Sequence, residues 1–174
     1  MKQKKAYFIT QAAVIAALYV VLTMFINAFN LANGAIQVRI SEALTILPYF
    51  TPAAIPGLFV GCLLSNFLTG AAIWDIVFGS LATLLGAIGT YLLRKWKWCA
   101  PIPPILANTI IIPFVLTYAY GLPGGIPFFM LTIGAGEVLS CGILGMILLF
   151  ALQKYRDVIF KYCVYLKKSR LTLP

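Results

Sequence analysis

From Ala6 to Leu93 the chain carries only three charged side chains, Arg39, Glu42 and Asp75, and the stretches between them are runs of leucine, isoleucine, valine, alanine and phenylalanine. A water-soluble domain needs about 25% charged residues to cover its surface. Here 10% of 174 residues are charged and 62% are hydrophobic, so the chain reads as a membrane protein. No polar stretch is long enough to fold beside the apolar part, and residues 1–174 are expected to form one bilayer-embedded domain. The first run, from Ala6 to Phe29, is longer than the apolar core of a signal peptide. It also lacks a small-x-small cleavage site leading into a polar mature chain, so it is expected to span the membrane.

The net charge of +9 could suggest nucleic acid. The basic residues fall in short clusters at the ends of apolar runs, however, which is how membrane topology is written, and no nucleic-acid partner is expected. The apolar runs place helices at about 6–29, 40–50, 53–68, 73–93, 101–120 and 126–154. The second is too short to span alone, since its 11 residues make roughly 16 Å of α-helix at 1.5 Å per residue. Pro48, Pro52 and Pro56 leave two arrangements open, one long broken helix or two short helices turning near Thr51 and Pro52. Six spans with the N-terminus inside put twelve of the thirteen basic residues in the cytoplasm and Arg39 alone outside, whereas the best five-span arrangement leaves three outside. The expectation is therefore an all-α polytopic bundle of six transmembrane helices, the second and third short, with both termini cytoplasmic. Cysteine labelling in a background without native cysteines should find position 70 reactive only from outside and position 97 only from inside. Reactivity of position 70 from the cytoplasm would exclude this topology.

The polar residues inside the apolar runs are the candidate site. Gln37, Arg39 and Glu42 stand within six residues at the start of the second helix. They read either as a helix start, with Ser41 near the N-cap, Glu42 facing the positive end of the dipole and Arg39 answering lipid phosphate, or as one wall of a polar pocket. Asp75 lies just inside the fourth span beside Trp74, a belt residue by position, and a carboxylate there needs a partner. Glu137 stands 11 residues from the outer end of the last span, about 16 Å down at helical rise and near the bilayer middle. It is either held structurally, by Asn108 or a carbonyl freed by Pro113, or it marks a ligand or ion site. With Asn66, Tyr49, Phe128 and Phe129, these residues suggest an outward-facing cavity for a flat, donor-rich ligand, with rings to stack on it and carboxylates to accept its N–H groups. Arg39 and Glu42, three residues apart, are able to satisfy one another.

Small residues mark close packing. Ala12, Ala13, Ala16 and Ala17 form a flat strip on the first helix, which another helix can approach, either from within the chain or from a second subunit. Gly57, Gly61 and Ser65 repeat the pattern on the third helix. The four cysteines are scattered and histidine is absent, so neither a disulfide framework nor a histidine metal site is indicated. With no GxSxG and no GxxxxGK[ST] loop, the chain is expected to be neither a hydrolase nor an ATPase, to carry no cofactor, and to depend on an ion gradient or a partner for uphill transport.

Three stretches, QVRISEALTILP at 37–48, SNFLTG at 65–70 and WDIVFGSLATLLGA at 74–87, resemble the QueT family of membrane proteins, and the likeness runs to about residue 155. The resemblance implies a six-helix substrate-binding S component of an energy-coupling factor (ECF) importer in a prokaryotic plasma membrane. Such a component captures a queuosine precursor, a 7-deazaguanine such as preQ1, preQ0 or queuine, from outside. It also implies partners, a membrane coupling subunit and two ABC-type ATPases, with the alanine strip as the docking contact. The substrate class rests on this resemblance, whereas the expected binding set, Glu137, Asp75, Glu42, Arg39, Gln37, Asn66, Trp74 and Tyr49, rests on the residues themselves. An ion-coupled secondary transporter of a small heterocycle and a vitamin-type S component are the alternatives. The first should show internal repeats with paired broken helices, and residues 6–68 and 74–154 show none. A membrane-embedded scaffold or enzyme is a third, and it predicts no saturable ligand binding.

Overall fold

The computed structural model of the protein describes residues 2–28, 39–121 and 125–159, and every element in them is helical. Helix α1 (Lys2–Ala28) is followed by a 3-10 helix (Ile40–Tyr49), α2 (Ala54–Leu68), α3 (Ile73–Leu92), a 3-10 turn (Lys97–Cys99) and α4 (Ile102–Tyr118). Then α5 (Ile126–Glu137), a π-helical segment (Val138–Leu144) and α6 (Gly145–Lys154) run on without a break, and α7 (Arg156–Ile159) ends the described chain. Four helices, Lys5–Ala28, Ile73–Leu92, Lys97–Tyr118 and Ile126–Lys154, are long and apolar enough to cross a membrane, and Ala54–Leu68 is a shorter apolar helix. The chain is thus an all-helical polytopic membrane protein. Of the two arrangements open for residues 40–68, it adopts two short helices joined at Phe50–Ala53.

The helices pack in chain order, α1 on α2, α2 on α3, α3 on α4 and α4 on α5. The 3-10 helix sits in their midst, touching α1, α2, α3, α6 and the π-helical segment. Its residues from Ser41 to Pro48 are all buried, as a helix must be if it is too short to reach both faces of a bilayer. Leu44, Ile46 and Leu47 meet Ile15 and Tyr19 of α1, Leu58 and Cys62 of α2 and Leu149 of α6 in the main apolar core. A smaller cluster, Ile112, Leu116, Phe129 and Ile133, joins α4 to α5. The outer faces carry exposed apolar side chains such as Val21, Phe25, Phe67, Leu85 and Leu131, which suits a surface whose solvent is lipid.

The small-residue strips explain how α1 and α2 approach. A methyl group on Gly57 would stand 2.7 Å from the Ala12 carbonyl oxygen, and one on Gly61 would stand 3.1 Å from the Ala16 Cα. No side chain fits there, so the two helices touch backbone to backbone. Ala12 and Ala16 are consumed by this internal contact, while Ala13 and Ala17, one position further round the helix, are exposed.

Candidate functional site

The Arg39 backbone is extended (φ −97°, ψ 91°) and caps the 3-10 helix, whose first turn holds Glu42. The two side chains therefore part, and the mutual pairing that their spacing allows is not what forms. Arg39 Nη2 donates to Asn66 Oδ1 at 3.2 Å. Glu42 turns into the bundle, where it has no exposure. Its Oε1 accepts from the Tyr19 hydroxyl of α1 and, at 3.5 Å, from Thr83 Oγ1 of α3. Its Oε2 is buried without a hydrogen-bond partner.

Glu137 ends α5 where the helix widens into its π-helical turns, and it is 6% exposed. The Cys141 thiol donates to Glu137 Oε2 at 3.1 Å and lies 3.4 Å from both the Glu42 carbonyl oxygen and Thr45 Oγ1. The Glu42 and Glu137 carboxyls and this thiol present atoms within 4.8 Å of one another. The Asn108 amide of α4 adjoins both carboxyls, yet neither its Oδ1 nor its Nδ2 has a hydrogen-bond partner, and the residue is 2% exposed. A buried amide left unpaired costs about 1–3 kcal/mol.

A second polar layer adjoins the first. Asn66, 1% exposed, accepts from Arg39 and donates to the Asp75 carbonyl oxygen at 3.4 Å. The Asp75 carboxylate accepts from the Tyr120 hydroxyl at 3.3 Å, and the same hydroxyl receives the Ala72 amide at 3.0 Å. Gly70, at φ +72°, makes the turn that folds α3 back under Asn66.

Of the residues expected at the site, Glu42 and Glu137 come together, and Arg39, Asn66 and Asp75 form the adjoining layer. Trp74 is placed elsewhere: it is 57% exposed, stacks on Phe78, and lines an apolar groove of about 690 Å³ between α3 and α4 on the outside of the bundle. Tyr49 is at the far end of the 3-10 helix, edge-on to Phe50. Phe129 is buried between α4 and α5 and Phe128 is exposed. Gln37 lies outside the described residues. Sequence reasoning passed over Tyr19, Thr83 and Cys141 as cluster members. Their only signal was a polar atom inside an apolar run, reinforced for Cys141 by its four-residue spacing from Glu137.

Two carboxylates and a thiol at this spacing are a donor set for a cation, and equally an acceptor set for a ligand's N–H groups. No solved structure matches the chain. Over 98 residues it is 38% identical to the "Queuosine precursor transporter QueT" of Lactococcus lactis subsp. cremoris (strain MG1363), a match that covers 56% of this chain and 57% of that relative. The family profile described as "QueT transporter" matches residues 9–154. An outwardly apolar helical bundle agrees with that match, and the chain belongs to the QueT transporter family.

Proposed function

We propose that the protein is the substrate-binding S component of an ECF-type importer and captures a queuosine precursor of the 7-deazaguanine class from outside the cell. The observation that carries this reading is the buried meeting of Glu42, Glu137 and Asn108, where one carboxylate oxygen and both amide atoms lack partners. Groups left unpaired in an apolar bundle are costly unless something arrives to pair with them. A deazaguanine edge brings adjacent N–H donors for Glu137, with Glu42 beside it as the second acceptor. Asp75, one layer away with Arg39, would answer a cationic aminomethyl substituent. Exposed Ala13 and Ala17 on α1 supply a docking face for a coupling subunit, which would recruit the two ABC-type ATPases whose nucleotide loop this chain lacks.

Two measurements test the reading. The purified chain should bind a 7-deazaguanine saturably and be stabilised by it, with the melting temperature rising as ligand is added. In proteoliposomes it should accumulate that ligand only when a coupling subunit and ATPases are present with ATP. Uphill uptake by the chain alone, driven by an ion gradient, would instead make it a secondary transporter.

A further inference from the structure

We infer that Asn108 is a specificity-determining residue of this site, reading a carbonyl oxygen on the ligand next to the N–H groups accepted by Glu137. The inference rests on the binding role proposed for the Glu42 and Glu137 pair, and it goes further by assigning the ligand a hydrogen-bonding edge. The cluster offers acceptors in excess: Glu42 Oε2 is unpaired, and Glu137 Oε2 accepts from a thiol, a weak donor. Among the described residues the Ser140 and Thr109 hydroxyls and the Asn108 Nδ2 group are buried donors without a partner in good geometry, and of these the Asn108 amide is the one that lies beside both carboxyls.

An edge complementary to this set has two neighbouring N–H donors flanked by one acceptor, the pattern of a lactam fused to an amidine. A ligand with the donors but a poor acceptor would leave the buried NH₂ unpaired. Sites built around a polar partner reject analogues that lack it far more strongly than apolar pockets reject a change of size. Asn108 thus acts as a filter for the oxo group, while Glu137 and Glu42 read the donors.

The probes are 7-deazaguanine and its 6-thio analogue, which keeps both N–H donors and replaces the oxygen by a weaker acceptor. They are titrated against the full-length purified wild type, Asn108→Leu and Asn108→Asp. The wild type should prefer the oxo base by about tenfold or more. Asn108→Leu, similar in volume and without a donor, should weaken oxo-base binding and bring the preference close to one, whereas Asn108→Asp, which beside two carboxyls keeps a proton and with it an O–H donor, should retain part of the preference. Asn108→Leu should also melt a few degrees higher than the wild type without ligand, because a buried unpaired amide is gone, and should gain less from added ligand. That combination shows the variant folded and separates recognition from a structural role. Equal wild-type affinity for the two bases, or a preference that persists undiminished in Asn108→Leu, overturns the role of Asn108 alone. Failure of the wild type to bind either base overturns the functional reading beneath it.

Discussion

ATP-driven uptake by the assembled transporter is expected to be abolished in Ala13→Trp and in Ala17→Trp, with ligand binding by the isolated chain unchanged. The alanine strip of α1 has two edges that do different things. Ala12 and Ala16 lie against Gly57 and Gly61, where even a methyl group on the glycine would meet backbone atoms at 2.7–3.1 Å. A tryptophan on that edge has no space and should separate α1 from α2, with loss of the fold. Ala13 and Ala17 face outward, so an indole there leaves the bundle intact and obstructs whatever approaches. Small residues in a membrane are useful because they let two backbones come close, and one bulky side chain removes that possibility. Binding is read by calorimetry on the purified chain and uptake in proteoliposomes with the ATPase module added. Loss of binding in Ala13→Trp would mean that this edge too is packed internally. Full uptake in both variants would place the docking surface elsewhere.

Glu137→Gln is expected to weaken binding of a 7-deazaguanine by roughly thirtyfold or more. Removing one member of a buried charged hydrogen bond typically costs about 2–5 kcal/mol, and every 1.4 kcal/mol is about tenfold in affinity. The amide keeps the size of the side chain and still receives the Cys141 thiol, so the effect reports on charge and acceptor capacity rather than packing. Asp75→Asn should discriminate between ligands: it should cost an aminomethyl-deazaguanine more than the neutral nitrile analogue, because only the first carries a cation. Calorimetric titration of both ligands against both variants checks this. Unchanged affinity in Glu137→Gln would return that residue to a structural role.

The helix positions were legible because hydropathy and proline placement dominate them. Runs expected at 40–50, 53–68 and 126–154 appear as Ile40–Tyr49, Ala54–Leu68 and the continuous stretch Ile126–Lys154. Side-chain direction was less legible. Arg39 and Glu42 have a spacing that suits pairing on one helical face, yet Arg39 caps the helix in an extended conformation and its guanidinium reaches Asn66. Trp74 and Asp75 are neighbours in sequence and part by one helical step, one to the lipid side and one to the interior. Tyr19, Thr83 and Cys141 gather around Glu42 from three different helices, and no local pattern announces a meeting that depends on how those helices are rotated about their axes.

The π-helical turns after Glu137 tie the direction of its carboxyl to the number of residues in the last helix. Each residue of an α-helix advances the chain by about 1.5 Å and turns it by about 100°. A turn closed by the wider π hydrogen bond absorbs one residue more than an α turn would. Upstream of Val138–Leu144 the helix aims Glu137 at Glu42, and downstream it presents Leu149 to the core around the 3-10 helix. These two facings are out of register in an unbroken α-helix, and the surplus residue reconciles them. Deleting one residue of that segment other than Cys141 is expected to regularise the helix and to swing the carboxyl about a quarter turn out of the cluster. The geometry of the cluster therefore depends on a count of residues in this stretch as much as on their identities.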